Sequence, residues 1–391
     1  MAPSEANFKV ELRRTNEEKR KEKSHMMAVK IPSSQYYNEY HGHKVQHLSK
    51  IYPLLRESSD ALIWTAGDSS LDNKYWFNDR KPAVGVYAEI LEPPVSICDV
   101  TYWLNYLLEK GEKFKHSQLK YSAINTAGEL HCKLKEMLCK YRYISNGTIY
   151  LEVEATTLNE RSYRLRPQDK FIRDKISSQD VLIVSIGGND IALAPTPCTI
   201  CSVAGLLCLP TGCLENGRSF GAVPLNDCCC GCGPSLASCP CSCPPCFGYF
   251  RHLFGTRTQK YIEALTSKTK PAKILVCMIY YPDESNTPSW ANASLGALGY
   301  NKNPAKIQLL IRKFFEEATS SIKITGTEVI PIPLFHSLDG TRSNDYVARV
   351  EPSAVGGKKM AELLLDAVHN NFVDRSAQGG APTTSLIDRS T

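Results

Sequence analysis

The chain has 391 residues, of which 42% are hydrophobic and 22% charged, a composition typical of a globular protein with a substantial core. It contains no apolar stretch of about 18 residues that would span a membrane, and its first residues lack the pattern of a secretory signal. The formal net charge is +6, but basic and acidic residues are interleaved without a recognised motif, which argues against nucleic-acid binding. We therefore expect a cytoplasmic protein with reduced thiols.

Residues 1–55 are polar and include a charged run over residues 11–30, which predicts a solvated arm. We expect these residues to form an N-terminal extension laid over the main domain. That domain is predicted for residues 56–371. The last residues, 372–391, end in AQGGAPTTSLIDRST and predict a disordered C-terminal tail.

Within residues 56–371, short apolar runs alternate with longer amphipathic stretches, which is typical of a parallel sheet covered by helices. The predicted strands are residues 61–66, 121–125, 181–186, 274–280 and 329–333. The predicted helices are residues 99–109, 129–141, 303–322 and 353–368. This order predicts an open three-layer α/β fold, whose ligand site lies beyond the carboxyl ends of the strands.

Three short motifs follow the first three predicted strands. Gly67-Asp68-Ser69 places a serine at a strand-to-helix turn, where it is either a nucleophile or a helix cap. Gly128 follows the second strand and is either an oxyanion donor through its N–H or a turn glycine. Gly187-Gly188-Asn189-Asp190 follows the third strand, and the neutral amide of Asn189 suits an oxyanion hole.

In this order and spacing, the three motifs resemble those of the SGNH, or GDSL-type, hydrolases over roughly residues 60–370. The resemblance implies a flavodoxin-like α/β/α fold with esterase or lipase activity that requires no cofactor. It also implies that Ser69 is the nucleophile. The Ser69 N–H, the Gly128 N–H and the Asn189 side chain would then form the oxyanion hole.

The fourth motif of that family, Asp-x-x-His-Pro, is changed in this chain. Glu351 occupies the position of the histidine base and Ala348 that of the aspartate. An unassisted serine hydroxyl is a weak nucleophile, so another base is needed. One candidate is Glu351 itself, unless it pairs with Arg349 or a lysine. The other is His336, oriented by Asp339 or Asp345.

The chain has 16 cysteines, and twelve of them lie in a predicted insertion over residues 198–246. Two-residue spacing lets paired thiolates bind one tetrahedral ion. A zinc site is therefore one interpretation, with three such pairs as ligands: Cys198 and Cys201, Cys229 and Cys232, Cys243 and Cys246. S-acylation of residues 228–230, which would attach the protein to a membrane, and a reduced loop without ligand are the alternatives. The insertion begins soon after Asn189, so we expect it to cover or flank the site.

Two functions follow from these residues. The first is a serine ester hydrolase that forms an acyl-enzyme on a small ester or thioester. The second is a catalytically inactive relative that keeps the fold as a scaffold and binds a protein partner. Loss of the usual aspartate and histidine favours the scaffold, whereas retention of Ser69 and Asn189 favours the enzyme.

Overall fold

Five parallel strands form the centre of the molecule. The computed structural model describes residues 30–38, 42–114, 119–128, 157–193, 195, 197–215 and 246–369. The sheet strands are Ala61–Gly67 (β1), Tyr121–Asn125 (β2), Val181–Ser185 (β3), Lys273–Met278 (β4) and Glu328–Pro333 (β5). Each lies within three residues of its predicted bounds, because short apolar runs with Val, Ile or aromatic residues suit a strand that is buried on both faces.

The strand order is β2-β1-β3-β4-β5, with every neighbouring pair parallel. This is the order of flavodoxin-like sheets, in which a ligand binds where the chain reverses direction across the sheet. The register places Thr65 beside Asn125 and Gly67 beside Ser185, so the ends of β1, β2 and β3 meet at one edge. The expected α/β fold class is confirmed.

Helices cover both faces of the sheet. The longer ones and those around the site are Val45–Ser58 (α1), Val100–Lys110 (α2), Pro167–Lys175 (α3), Pro197–Cys208 (α4), Cys246–Arg251 (α5), Thr258–Leu265 (α6), Asn292–Ala297 (α7), Pro304–Glu317 (α8) and Ala354–Val368 (α9). The remaining short helices are Ser33–Tyr37, Val86–Ile90, Leu158–Tyr163, Asn189–Ala192, Thr211–Glu215 and the π-helix His252–Arg257. Three two-stranded ribbons complete the description: Ile31–Pro32 with Leu91–Glu92, Arg80–Pro82 with Val95–Ile97, and Tyr346–Val347 with Glu351–Pro352.

The two layers of helices bury two separate apolar clusters. Along β1, Leu62 and Trp64 belong to the cluster that includes α1, α6 and α8, whereas Ile63 belongs to the cluster beneath α2 and α9. This alternation is the two-residue period of a strand. It gives the three-layer arrangement that the sequence pattern predicts.

The predicted helices 99–109, 303–322 and 353–368 correspond to α2, α8 and α9. Helix α8 ends earlier than predicted, at Glu317, and a short 3₁₀ turn, Thr319–Ser321, follows it. The predicted helix 129–141 and the predicted tail 372–391 lie outside the described residues. Helix α1 spans the predicted boundary between residues 55 and 56, and its apolar face belongs to the same core as β1.

Candidate active site

The loop after β1 places Ser69 at the carboxyl edge of the sheet. Gly67 ends the strand at φ +129°, and a Cβ there would lie 1.8 Å from the Ser185 carbonyl oxygen on β3, so only glycine fits between the two strands. The Asp68 N–H then donates to that same carbonyl at 3.2 Å. The Asp68 carboxylate in turn accepts the Ser70 N–H at 3.1 Å, which fixes the turn that presents Ser69.

The base position is close to Ser69. The Ser69 hydroxyl donates to Glu351 Oε1, with 3.3 Å between the two oxygens. Both residues are buried, at 5% and 3% exposure, and both line the same cavity. The structure thus brings the predicted nucleophile and one predicted base together, although 282 residues separate them in sequence.

Two hydrogen bonds hold the backbone on either side of Glu351. The Asn73 side-chain amide donates to the Pro352 carbonyl at 2.8 Å, which ties the Ser69 loop to the Glu351 strand. On the other side, the Tyr280 hydroxyl donates to the Val350 carbonyl at 2.7 Å. Burial and the Glu351 carboxylate raise the pKa of Tyr280 well above its usual value, so its phenol remains a donor.

Arg349 anchors the loop that leads into Glu351. Ala348 and Arg349 have φ of +48° and +67°, a conformation that costs a non-glycine residue on the order of 1 kcal/mol. The buried Arg349 guanidinium offsets this cost by donating twice to the Asp283 carbonyl, at 3.1 and 3.0 Å. It also donates to the side-chain oxygens of Asn292 and Asn301, each at 2.9 Å. Arg349 therefore does not pair with Glu351 but fixes its position through the backbone.

The predicted oxyanion donors have different surroundings. Asn189 is 7% exposed and lines the cavity with Ser69. The Ser69 N–H has no backbone acceptor among the described residues. The Gly128 N–H is occupied, since it donates to the Gly67 carbonyl at 3.0 Å, and Gly128 does not line the cavity. Of the three predicted donor residues, Ser69 and Asn189 line the cavity and Gly128 does not.

The second predicted base, His336, is exposed at the end of a 3₁₀ turn whose other residues, Leu334 and Phe335, are buried, and its ring lies against Phe335. It does not line the cavity. Its proposed orienting carboxylates are engaged with other groups: Asp345 accepts the Lys359 ammonium at 2.5 Å, and Asp339 accepts the Thr341 hydroxyl at 2.7 Å. Among the described residues, no histidine lines the cavity that contains Ser69.

The cavity beside Ser69 is mostly apolar away from Asp68, Ser69, Ser70, Asn189 and Glu351, and its volume is about 130 Å³. Its apolar walls come from α4, α5 and α8: Val203, Leu206, Phe250, Leu310, Ile311 and Phe314. Trp290 lines it as well, and its ring stacks on Trp76 at a centroid distance of 6.1 Å. The first helix of the cysteine-rich insertion thus forms one wall of the site. The sequence did not single out these residues, because apolar residues at helical spacing are typical of an ordinary core helix.

The cysteine pairs proposed for zinc are only partly within the described residues. Cys201 is an exposed free thiol on α4. Cys198 lies on α4 and Cys246 on α5, but the structure describes only the backbone of these two residues. Cys229, Cys232 and Cys243 lie outside the described residues altogether, so zinc binding stays a prediction.

A second buried polar cluster lies on the other side of the Ser69 loop. Ligand atoms of His43, Asp72 and Asp99 all lie within 4.8 Å of one another, and sequence reasoning did not single out this group. The Lys74 ammonium pairs with Asp72, and the Asn125 amide donates to Asp72 at 2.7 Å and to Asp99 at 3.3 Å. Asp72 is therefore already paired with a protein cation, whereas Asp99 accepts only from neutral donors, the Asn125 amide and the Tyr102 N–H.

No protein-family model matches this sequence, and no curated protein is significantly similar to it. Within the part of the chain that the structure describes, none of the helices is both long and apolar enough to cross a membrane. Function is therefore inferred from the geometry of the site.

Proposed function

We propose that the protein is a serine ester hydrolase in which Ser69 is the nucleophile and Glu351 the general base. The observation that carries this proposal is the hydrogen bond from the Ser69 hydroxyl to Glu351 Oε1 at 3.3 Å, inside a cavity of about 130 Å³. A general base must first be within reach of the proton it accepts, and such bonds are often longer before substrate binds than afterwards. The resemblance to the SGNH motifs supports the same chemistry.

In the first half-reaction, the Ser69 oxygen attacks the carbonyl carbon of the ester and its proton passes to Glu351. The oxyanion of the tetrahedral intermediate accepts hydrogen bonds from the Ser69 N–H and the Asn189 side chain. Glu351 then gives its proton to the leaving alkoxide, and the acyl group remains on Ser69. In the second half-reaction, water attacks the acyl group, Glu351 accepts a proton from this water, and the proton returns to Ser69 as the acid leaves.

A catalytically inactive scaffold is the second candidate. Two observations favour it: the Gly128 N–H is occupied by the Gly67 carbonyl, at 3.0 Å, and His336 lies outside the cavity. In that case Ser69 and Glu351 would only stabilise the fold, and the surfaces of the molecule would bind a protein partner. The two candidates differ in whether Ser69 reacts.

A fluorophosphonate probe tests this difference, with covalent labelling of the purified protein followed by intact mass. We expect one label on the wild type and none on Ser69→Ala, because the probe reacts only with an activated hydroxyl. Labelling of Glu351→Gln is expected to be slower by at least about 100-fold, the usual contribution of a general base.

Two surface variants serve as matched controls, Ser267→Ala and Glu362→Gln, since both residues are exposed and distant from the cavity. Both are expected to label like the wild type. A folded wild type that takes no label would contradict the enzyme and support the scaffold. A Ser69→Ala variant that still takes a label would show that Ser69 is not the nucleophile.

A further inference from the structure

We infer that the cavity beside Ser69 is an acyl-binding site for neutral esters whose acyl group has about six carbons. This inference rests on the proposed function and adds the substrate class to it. The polar end of the cavity is formed by Asp68, Ser69, Ser70, Asn189 and Glu351, and most of the remaining wall is apolar. An ester carbonyl fits the polar end only if the apolar part of the same molecule extends along those walls.

The part of an ester that enters this cavity is its acyl group. The carbonyl carbon that Ser69 attacks carries both the acyl chain and the alkoxide, but only the acyl chain stays on Ser69 through both half-reactions, so we place that chain along the apolar surface that adjoins Ser69. Leu206 and Phe250, both of which have 0% exposure, line the same cavity as Ser69. Val203 and Trp290 are partly exposed, so the cavity opens on their side and closes at Leu206 and Phe250.

The volume sets the length of the acyl group. An apolar protein cavity of about 150 Å³ holds one benzene molecule, and this cavity has about 130 Å³. A group of about six carbons therefore fills it, whereas an acetyl group leaves most of it empty and a ten-carbon chain exceeds it. Each additional buried methylene strengthens binding roughly fourfold, so selectivity rises with length up to the point where the cavity is full.

The charge at the polar end favours substrate over product. Glu351 acts as a base in its ionised form and faces the same cavity as Ser69. A neutral ester meets no repulsion there, whereas the carboxylate product places another negative charge next to Glu351, which is only 3% exposed. The cavity is thus suited to bind the ester and to release the acid.

The first test is a series of p-nitrophenyl esters with the wild-type protein: acetate, butyrate, hexanoate and decanoate. We expect kcat/KM to be highest for hexanoate, by at least tenfold over acetate.

A variant tests the position of the acyl group. In Val203→Phe, which narrows the cavity, the ratio of kcat/KM for hexanoate to kcat/KM for acetate should fall at least tenfold. Ile200→Phe is the matched control, because Ile200 lies on the same helix but is 57% exposed, and it should keep the wild-type ratio. A flat series, or an optimum at acetate or decanoate, would overturn the inference.

The second test does not depend on turnover. Methyl hexanoate is titrated into Ser69→Ala protein, with binding followed by calorimetry, and hexanoate at pH 8 is the comparison ligand. We expect the ester to bind, the acid to bind at least tenfold more weakly, and the added Val203→Phe change to weaken ester binding at least tenfold.

The two tests separate failure of the inference from failure of the proposed function. Ester binding without any turnover or probe labelling would leave the acyl site standing and remove the esterase. Turnover without chain-length preference, or no ester binding to Ser69→Ala, would leave the esterase standing and remove the acyl site.

Discussion

Two groups of buried carboxylates flank the Ser69 loop, and they differ in what surrounds them. Glu351 faces a cavity and accepts the Ser69 hydroxyl. Asp72, three residues after Ser69, faces the Lys74 ammonium and the Asn125 amide, and each of these three residues is at most 4% exposed. A carboxylate that opens to a cavity can exchange a proton with a ligand, whereas one enclosed by a counter-ion stabilises the fold. What distinguishes Glu351 from Asp72 is therefore whether a ligand can reach the carboxylate, and not the type of residue.

Substitutions around Asp72 and substitutions around Glu351 should therefore affect different properties of the protein. A substitution in the buried cluster of His43, Asp72, Lys74 and Asp99 should reduce the stability of the protein without changing the reactivity of Ser69 in the folded protein. A change near Glu351 should reduce reactivity beyond any loss of stability. Fluorophosphonate labelling and denaturant unfolding measure these two properties separately.

The largest loss of stability is expected for Lys74→Met. Removing one partner of a buried ion pair typically costs 3–5 kcal/mol, since the remaining charge is left uncompensated; here we expect about 3 kcal/mol, measured by urea unfolding. Lys110→Met is the control, because its pair with Glu109 is exposed and such pairs contribute little. Slower labelling of the folded Lys74→Met protein would show that the two clusters are not separate in function.

A smaller loss of stability, of about 2 kcal/mol, is expected for Arg349→Met, because buried acceptors such as the Asp283 carbonyl then lose their donor. Labelling of Ser69 should slow by at least tenfold, since the Glu351 loop loses its anchor. An equal loss of stability without slower labelling would show that Arg349 supports the fold alone. Arg173→Met is the control, as Arg173 pairs with Asp174 at the surface.

The smallest expected effect is the pH dependence that Asp99 gives to the free energy of unfolding. Burial, and then the charge of Asp72, raises the pKa of Asp99 from 3.8 to about 7. A carboxyl whose pKa is higher in the folded state contributes stability that is full below the unfolded value and is lost as pH rises through the folded value. Its contribution to the free energy of unfolding should therefore decrease between about pH 4 and pH 7 and then level off.

This contribution is measured as the difference in unfolding free energy between wild type and Asp99→Asn from pH 4 to pH 8. The asparagine keeps an acceptor for the Tyr102 N–H at the start of α2 but does not titrate. His43, whose pKa is lowered by burial and by Lys74, titrates in both proteins, so its effect largely cancels. A difference that stays constant with pH would show that Asp99 is ionised throughout this range.

The ends of single strands show how far the sequence predicts the structure of this protein. The run 274–280 reads as one strand, but β4 ends at Met278, and Ile279 and Tyr280 turn into the cavity wall. Hydrophobic alternation cannot distinguish a residue in a strand from one that lines an apolar site, because both are buried. Gly128 shows the same limit, since a glycine after a strand fits an oxyanion hole and a hydrogen bond to Gly67 equally well.

The sequence by itself determined the parallel sheet, the places of α2, α8 and α9, and the candidate residues Ser69, Asn189 and Glu351. These depend on local periodicity and on the rule that parallel strands end at one edge. Only the tertiary structure decided that Glu351 rather than His336 reaches Ser69, and that α4 closes an apolar cavity around them. Such pairings join residues hundreds of positions apart, and their distances follow from how loops pack across the sheet, which no local pattern encodes.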